Sequence, residues 1–283
     1  MIAKRIPTIL PEMSFEESLE VTKIHSIAGK LSSEMPLILQ RPFRNPHHTI
    51  SPISLIGGGK NPKPGEISLS HHGVLFLDEL PEFNKNTLEM LRIPIEDKKI
   101  SISRVNSSIT YPANFMFVVS MNPCPCGYYG SIDKQCNCSE DQIKRYLNKI
   151  SGPLLDRIDL HIEVNSVKFE KLNPEIPSLD SNTIRKRVNL ARKIQYERYK
   201  EYGFFTNAEL PPKLISKYCK LNDKSKEILN SAFNSFGLSA RAYTRILKVA
   251  RTIADLDGNT NILTKHIAEA ILYRSLDRKY WGN

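Results

Sequence analysis

One short stretch restricts the folds open to this chain more than any other: Gly73-Val-Leu-Phe-Leu-Asp78-Glu79. Four apolar residues in a row, with no polar alternation, are the mark of a strand buried on both faces of a parallel sheet. The acids that follow at once fall at the C-terminal edge of that sheet, where α/β folds bind ligands. In a nucleotide hydrolase the first carboxylate, Asp78, would orient a magnesium shell and the second, Glu79, would polarise the attacking water. Taken alone, the same string also suits an ordinary strand end with two solvated acids.

The neighbouring segments supply the rest of an α/β region. Ser14-Phe-Glu-Glu17 reads as a capping box that opens a helix running to about Ala28. Turn-forming residues dominate from Arg41 to Gly65. KISISRVNSSITYP (99–112) alternates as a hairpin turning near Asn106, and Phe115 to Val119 is a second buried strand. Met121-Asn122 follows it, an amide able to position water or to start a turn. Leu154-Leu-Asp-Arg157-Ile-Asp159 precedes a third apolar run, Ile158 to Val164, expected as a third strand. Arg157 can supply charge to a phosphoryl transition state across a subunit boundary, or pair with Asp156 or Asp159. Pro174 and Pro177 lie in an expected linker, 166–182. Beyond it the pattern is helical, with helices expected at 184–201, 211–219, 223–236, 240–255 and 264–274 and N-caps at Ser239 and Thr264. The expected domains are therefore an α/β core over 1–165 and a helical domain over 183–283.

Charge divides along the same line. The net +10 of the 283 residues comes entirely from the helical region: from Ile184 onward there are 20 basic and 9 acidic residues, and the remainder is close to neutral. Such a surplus fits an anionic partner, nucleic acid or acidic protein, or it serves solubility. No stretch approaches the ~20 apolar residues of a membrane-spanning helix, and the N-terminus has no apolar core of a signal peptide. A cytoplasmic location without membrane contact is the expectation.

Four of the five cysteines fall within fifteen residues, as Cys124-Pro-Cys126 and Cys136-Asn-Cys138. Four thiolates this close can close a tetrahedral zinc site, which in a reducing compartment is favoured over disulfides. Cys219 has no such neighbours and reads as a core residue. The doublets His47-His48 and His71-His72 are expected to act in packing and hydrogen bonding.

Paired acids after a buried strand, a hairpin, an Asn-ended strand, a Leu-Leu-Asp-Arg turn and a helical domain, in that order, resemble an AAA+ ATPase. The strings RPFRNPHHTIS (41–51), GEISLSHHGVLFLDELPEF (65–83), MNPCPCGYYG (121–130), SGPLLDRIDLHIEV (151–164), LSARAYTRILKVARTIADL (238–256) and HIAEAILYRSLDR (266–278) resemble the magnesium-chelatase-like branch, specifically the ComM/YifB family. The resemblance implies ATP and Mg2+ as cofactors. It casts Asp78 and Glu79 as Walker B, Asn122 as sensor 1, Arg157 as the arginine finger and Arg241 as sensor 2. The hairpin resembles the pre-sensor-1 insertion. The C-x-C pairs after MNP also belong to the ComM-like branch.

That family carries a phosphate-binding loop, GxxxxGK[ST], before this array, and the sequence contains none. Gly57-Gly-Gly-Lys60 does not qualify, because no Ser or Thr follows the lysine and Pro62 comes soon after. By the resemblance, MIAKRIPTILP is the helix that directly follows the loop, so the expectation is a truncated AAA+ core with weakened nucleotide binding. The strand of that loop would lie between the Asn122 strand and the Arg157 strand. The resemblance implies a subunit of a homo-oligomeric ring, a hexamer in related motors, that remodels DNA by ATP-driven branch migration during recombination and transformation. A non-hydrolysing remnant or split-gene half, binding DNA or an upstream partner chain, is the alternative. A magnesium-chelatase motor subunit is the third, which the C-x-C pairs oppose.

Overall fold

The computed structural model describes residues 2–32, 36–104, 107–131, 134–164 and 179–274. The chain divides into two units, Met1–Arg157 and Ile158–Asn283. The expected hairpin turn at Asn106, most of the expected linker and the end of the 266–278 string lie outside the described residues.

In the first unit, α1 (Ile6–Ile9) follows a 3-10 turn, and α2 (Phe15–Ile27) opens on the expected capping box. The Glu17 N–H donates to Ser14 Oγ at 3.2 Å and the Ser14 N–H to Glu17 Oε2 at 3.0 Å, so two otherwise orphaned donors are satisfied. The 41–65 stretch is not all turn: it contains β1 (Phe43–Arg44), α3 (Pro52–Ile56), and β2 (Gly57–Gly58) paired antiparallel with β3 (Lys63–Pro64). Gly57 has φ 110°, and a Cβ there would stand 2.4 Å from the Lys63 carbonyl oxygen. The glycine run thus forms a tight backbone hairpin.

After α4 (Glu66–Leu69) comes β4 (Val74–Leu77), all four residues buried. Then follow α5 (Lys85–Glu89), α6 (Arg92–Asp97), the hairpin β5 (Lys99–Arg104) and β6 (Ser107–Pro112), β7 (Met116–Val119), α7 (Glu140–Leu147) and α8 (Gly152–Leu155). The three-stranded sheet has the order β1-β4-β7 and is parallel throughout, with Phe43 opposite Val74 and Leu77 opposite Val119. β4 is central, which is why its sequence is continuously apolar. Gly73 admits β1 to this edge: a Cβ would lie 2.0 Å from the Pro42 carbonyl oxygen, which instead accepts the Val74 N–H at 2.8 Å. β7 pairs with β4 on one side, and Met116 on it is 43% exposed.

The third expected strand does not form. Residues 158–164 carry no ladder among the described residues, and Ile162 and Val164 are 66% and 71% exposed. This run groups with the second unit, where the His161 N–H donates to the Tyr273 carbonyl at 2.8 Å. An apolar run becomes a strand only where a neighbour offers its backbone groups.

The second unit is helical: α9 (Ser181–Tyr199), α10 (Pro212–Tyr218), α11 (Asp223–Phe236), α12 (Ala240–Leu256) and α13 (Thr264–Leu272). Ala242, Ile246, Leu247, Ala250, Ile253 and Ala254 give α12 its buried stripe against Tyr199, Leu210, Leu229 and Ile267. Ser239 caps α12, accepting the Ala242 N–H at 3.1 Å. Thr264 does not cap α13. Its hydroxyl lies 3.2 Å from that of Ser225, while His266 Nδ1 accepts the Leu263 N–H at 3.0 Å. No described helix is long and apolar enough to cross a membrane.

Candidate functional site

Because the sheet is parallel, everything that follows its strands emerges at one edge. Asp78-Glu79 follow β4, Ser120-Met121-Asn122 follow β7, and Asn45 follows β1. Asp78, Glu79 and Asn122 are exposed, although Leu77 before the acids and Leu80 after them are buried. The edge is held by backbone: the Leu80 N–H donates to the Ser120 carbonyl at 2.9 Å and the Ser120 N–H to that of Leu77 at 3.0 Å. Asp78 Oδ1 accepts the Ser120 hydroxyl and, at 3.1 Å, the Glu79 N–H. Glu79 itself is left-handed, at φ 53° and ψ 50°, a conformation that costs a non-glycine residue on the order of 1 kcal/mol and collects at functional sites. Two exposed carboxylates and an amide form a hard oxygen donor set, suited to Mg2+ held largely through its water. Ser120 and Asn45 are absent from the sequence reading. The run of small polar residues at strand ends is the signal that leads to both.

Arg157 is not part of this cluster. The Arg157 side chain is 9% exposed, turned onto Glu96 Oε2 and donating to the Pro153 carbonyl at 2.7 Å. Arg241 belongs to the second unit, exposed in the first turn of α12.

The histidine doublets are bonding groups. His71 Nδ1 accepts the Asn114 N–H at 3.0 Å, so its proton is on Nε2, which donates to Glu20 Oε2 at 3.0 Å. Burial pushes the His71 pKa below its ordinary value, and the bond from His71 holds Glu20 below the usual carboxylate range. A metal at Nε2 would require losing one of those bonds, so Glu20, His71 and His72 fasten α2 to the approach of β4. His47 and His48 lie with ring centroids 4.0 Å apart in the loop after β1.

Directly beyond Asn122 the four clustered cysteines converge. Their sulfurs lie 3.4 Å (124 to 126), 3.7 Å (124 to 136) and 3.6 Å (126 to 136) apart, with Cys138 in the same group and all within 4.8 Å. Tetrahedral zinc with Zn–S bonds of about 2.3 Å sets S···S near 3.8 Å, so the group fits. A disulfide needs about 2.05 Å, and all five cysteines are free. Backbone N–H groups of Tyr129 and Cys138 donate to Cys124 and Cys136, the outer support such ligands use. N–H groups of Tyr128 and Asn137 lower the Cys126 thiol to about 6. Tyr146, 7% exposed on α7, reaches the same edge. Burial, the nearby Glu82 charge and those of Cys124 and Glu79 push its hydroxyl up to about 12.

The second unit uses many of its cations internally. Asp255 is fully buried and accepts from Arg198 at 2.5 and 2.9 Å, from Arg251 at 3.1 Å and from Asn207 at 2.8 Å. Arg245 pairs with Asp159, and Lys265 with Asp257.

Along its length the chain is similar to known proteins. Residues 1–172 match the family model for magnesium chelatase, subunit ChlI, and residues 178–274 match its C-terminal model. The competence protein ComM of Haemophilus influenzae is 47% identical over 281 residues, covering 98% of this chain and 53% of that protein. YifB of Escherichia coli is 45% identical over 279 residues, covering 98% and 54%. The magnesium-chelatase 38 kDa subunit of Chlorobaculum parvum is 24% identical over 221 residues, or 76% and 55%. The chain thus spans about half the length of the curated relatives it matches. With both family models satisfied across two units, the chain belongs to the magnesium-chelatase-like AAA+ family, alongside ComM and YifB.

Proposed function

We propose that the chain provides the Walker B, sensor and lid parts of an ATPase subunit that remodels DNA. The observation that carries this reading is the exposed pair Asp78-Glu79 at the end of the central buried strand, beside Ser120 and Asn122. In this reading Asp78 holds the hydrated Mg2+, Glu79 polarises the attacking water, and Asn122 contacts the γ-phosphate. Arg157 is the arginine finger of a ring assembly, released from Glu96 when subunits meet, and Arg241 is sensor 2. Support for Arg241 comes from its position: a cation in the first turn opposes the helix dipole, costing about 0.3–1 kcal/mol, so helix stability does not account for it. The four-cysteine cluster carries a structural Zn2+ that braces the turn after Asn122.

These residues contain no phosphate loop, so alone they hydrolyse ATP weakly or not at all. Turnover is expected when they are joined to a polypeptide bearing such a loop, and Glu79→Gln should abolish it. Turnover indifferent to Glu79→Gln would remove the reading. Branched DNA should bind more weakly as salt rises, since the contacts are to phosphate.

The non-hydrolysing alternative rests on one observation: among the described residues β7 is an edge strand laddered to β4 alone, and such an edge suits a strand from a partner chain. Porphyrin metallation is the weaker reading, because the chelatase subunit is 24% identical where ComM is 47%.

A further inference from the structure

We propose that Ser120 is a positioning residue: its hydroxyl fixes the Asp78 carboxylate so that Oδ2 alone is offered to a divalent cation. This rests on the proposed role of Asp78 as the holder of hydrated Mg2+.

The register of the sheet brings the two residues together. Leu77 lies opposite Val119 in the parallel pair of β4 and β7, so the next residues on each strand, Asp78 and Ser120, meet just beyond the ladder. Side chains opposite one another leave a sheet on the same face. There the Ser120 hydroxyl donates to Asp78 Oδ1, which also accepts the Glu79 N–H at 3.1 Å. Oδ1 thus carries two donors. Among the described residues Oδ2 accepts none, and Asp78 is exposed. The terminal torsion of an aspartate is broad and roughly two-fold, so an exposed carboxylate exchanges its oxygens unless something holds one of them. The Ser120 hydroxyl, reaching across from a neighbouring strand, supplies that hold.

The fold does not need this hydroxyl to close the edge. The Ser120 backbone already ties the two strand ends, its N–H donating to the Leu77 carbonyl at 3.0 Å and its carbonyl accepting the Leu80 N–H at 2.9 Å. The side chain is left with orientation of the carboxylate as its task. Outer donors of this kind orient a metal ligand, and losing one lowers metal affinity about 10–100-fold. With the Glu79 N–H still on Oδ1, the smaller loss is expected here.

The test uses Mn2+ alone, titrated into the full chain and read as paramagnetic broadening of backbone amide signals. The dispersion of the remaining signals shows that each variant is folded. In the parent, broadening should centre on Asp78, Glu79 and Ser120, and Asp78→Asn should remove it. Ser120→Ala should need about tenfold more Mn2+ for the same broadening. Ser120→Thr, which keeps the hydroxyl, should titrate as the parent does. A parent-like titration in Ser120→Ala, with Asp78→Asn still abolishing the broadening, would overturn the inference and leave Asp78 as the holder of the cation. Broadening absent from the parent, or indifferent to Asp78→Asn, would remove the metal role of Asp78 and this inference with it. Should Ser120→Ala lose its signal dispersion, Ser120→Cys is the second variant. It keeps the size of the side chain with only a weak donor, and it must reproduce the loss for the inference to stand.

Discussion

Replacing Asp255 by alanine tests how much of the basic surplus in the second unit is architecture. The carboxylate is fully buried and neutralises Arg198 and Arg251, whose side chains are 15% and 3% exposed. Breaking a buried pair by removing one partner costs about 3–5 kcal/mol, because the remaining charge is left without compensation. Two terms offset part of this. Alanine is the better helix former by about 0.5 kcal/mol, and removing an acid from the C-terminal turn of α12 relieves roughly another 0.5. Arg198 can reach water, whereas Arg251 retains the carbonyls of Asn259 and Thr260. The net expectation is a loss of about 3 kcal/mol, equivalent to roughly 15 °C in the melting temperature of a unit of this size. The assay is thermal unfolding followed at 222 nm, with Glu197→Ala as the control. Among the described residues Glu197 pairs only with Lys200, at 2.6 Å on the surface, and such exposed pairs contribute little to stability. If Asp255→Ala lowers the midpoint no further than Glu197→Ala, the network is not structural, and those arginines return to the pool available for DNA.

Three further outcomes follow from the packing. Gly73→Ala should leave the chain largely unfolded on expression, judged by circular dichroism, because its Cβ would overlap the Pro42 carbonyl at 2.0 Å. His25 and His71 both have pKa values lowered by burial, so the unfolded chain takes up protons first as pH falls below about 6.5. Stability should therefore be full above that pH and decline below it, by at most about 1.4 kcal/mol per pH unit for each histidine, and His71→Gln should flatten the acid limb of a urea-midpoint profile. Burial pushes the Cys219 thiol up to about 11, so at pH 8 iodoacetamide should label it only after unfolding, as peptide mapping would show.

Some of this protein is legible residue by residue. The capping box at Ser14-Glu17, the apolar run of β4, the alternating hairpin and the helices over 181–272 obey rules that act within a few residues. The paired acids are legible too, since a parallel strand has only one place to release them. β1 is not, because two residues among turn formers become a strand only when Gly73 lets Pro42 approach. Residues 158–164 are apolar enough for a strand and form none, since ladder partners are supplied by the fold and never by the segment itself. The basic surplus could be counted from sequence. That Arg198 belongs to architecture, held by the buried Asp255, required α9 and α12 to meet across 57 positions. The cysteine spacing permitted metal or disulfide, and only the tertiary structure brings the four sulfurs together as free thiols. Short-range periodicity is written in neighbouring residues; pairing, burial and the convergence of distant side chains are properties of the closed chain, and only the tertiary structure decides them.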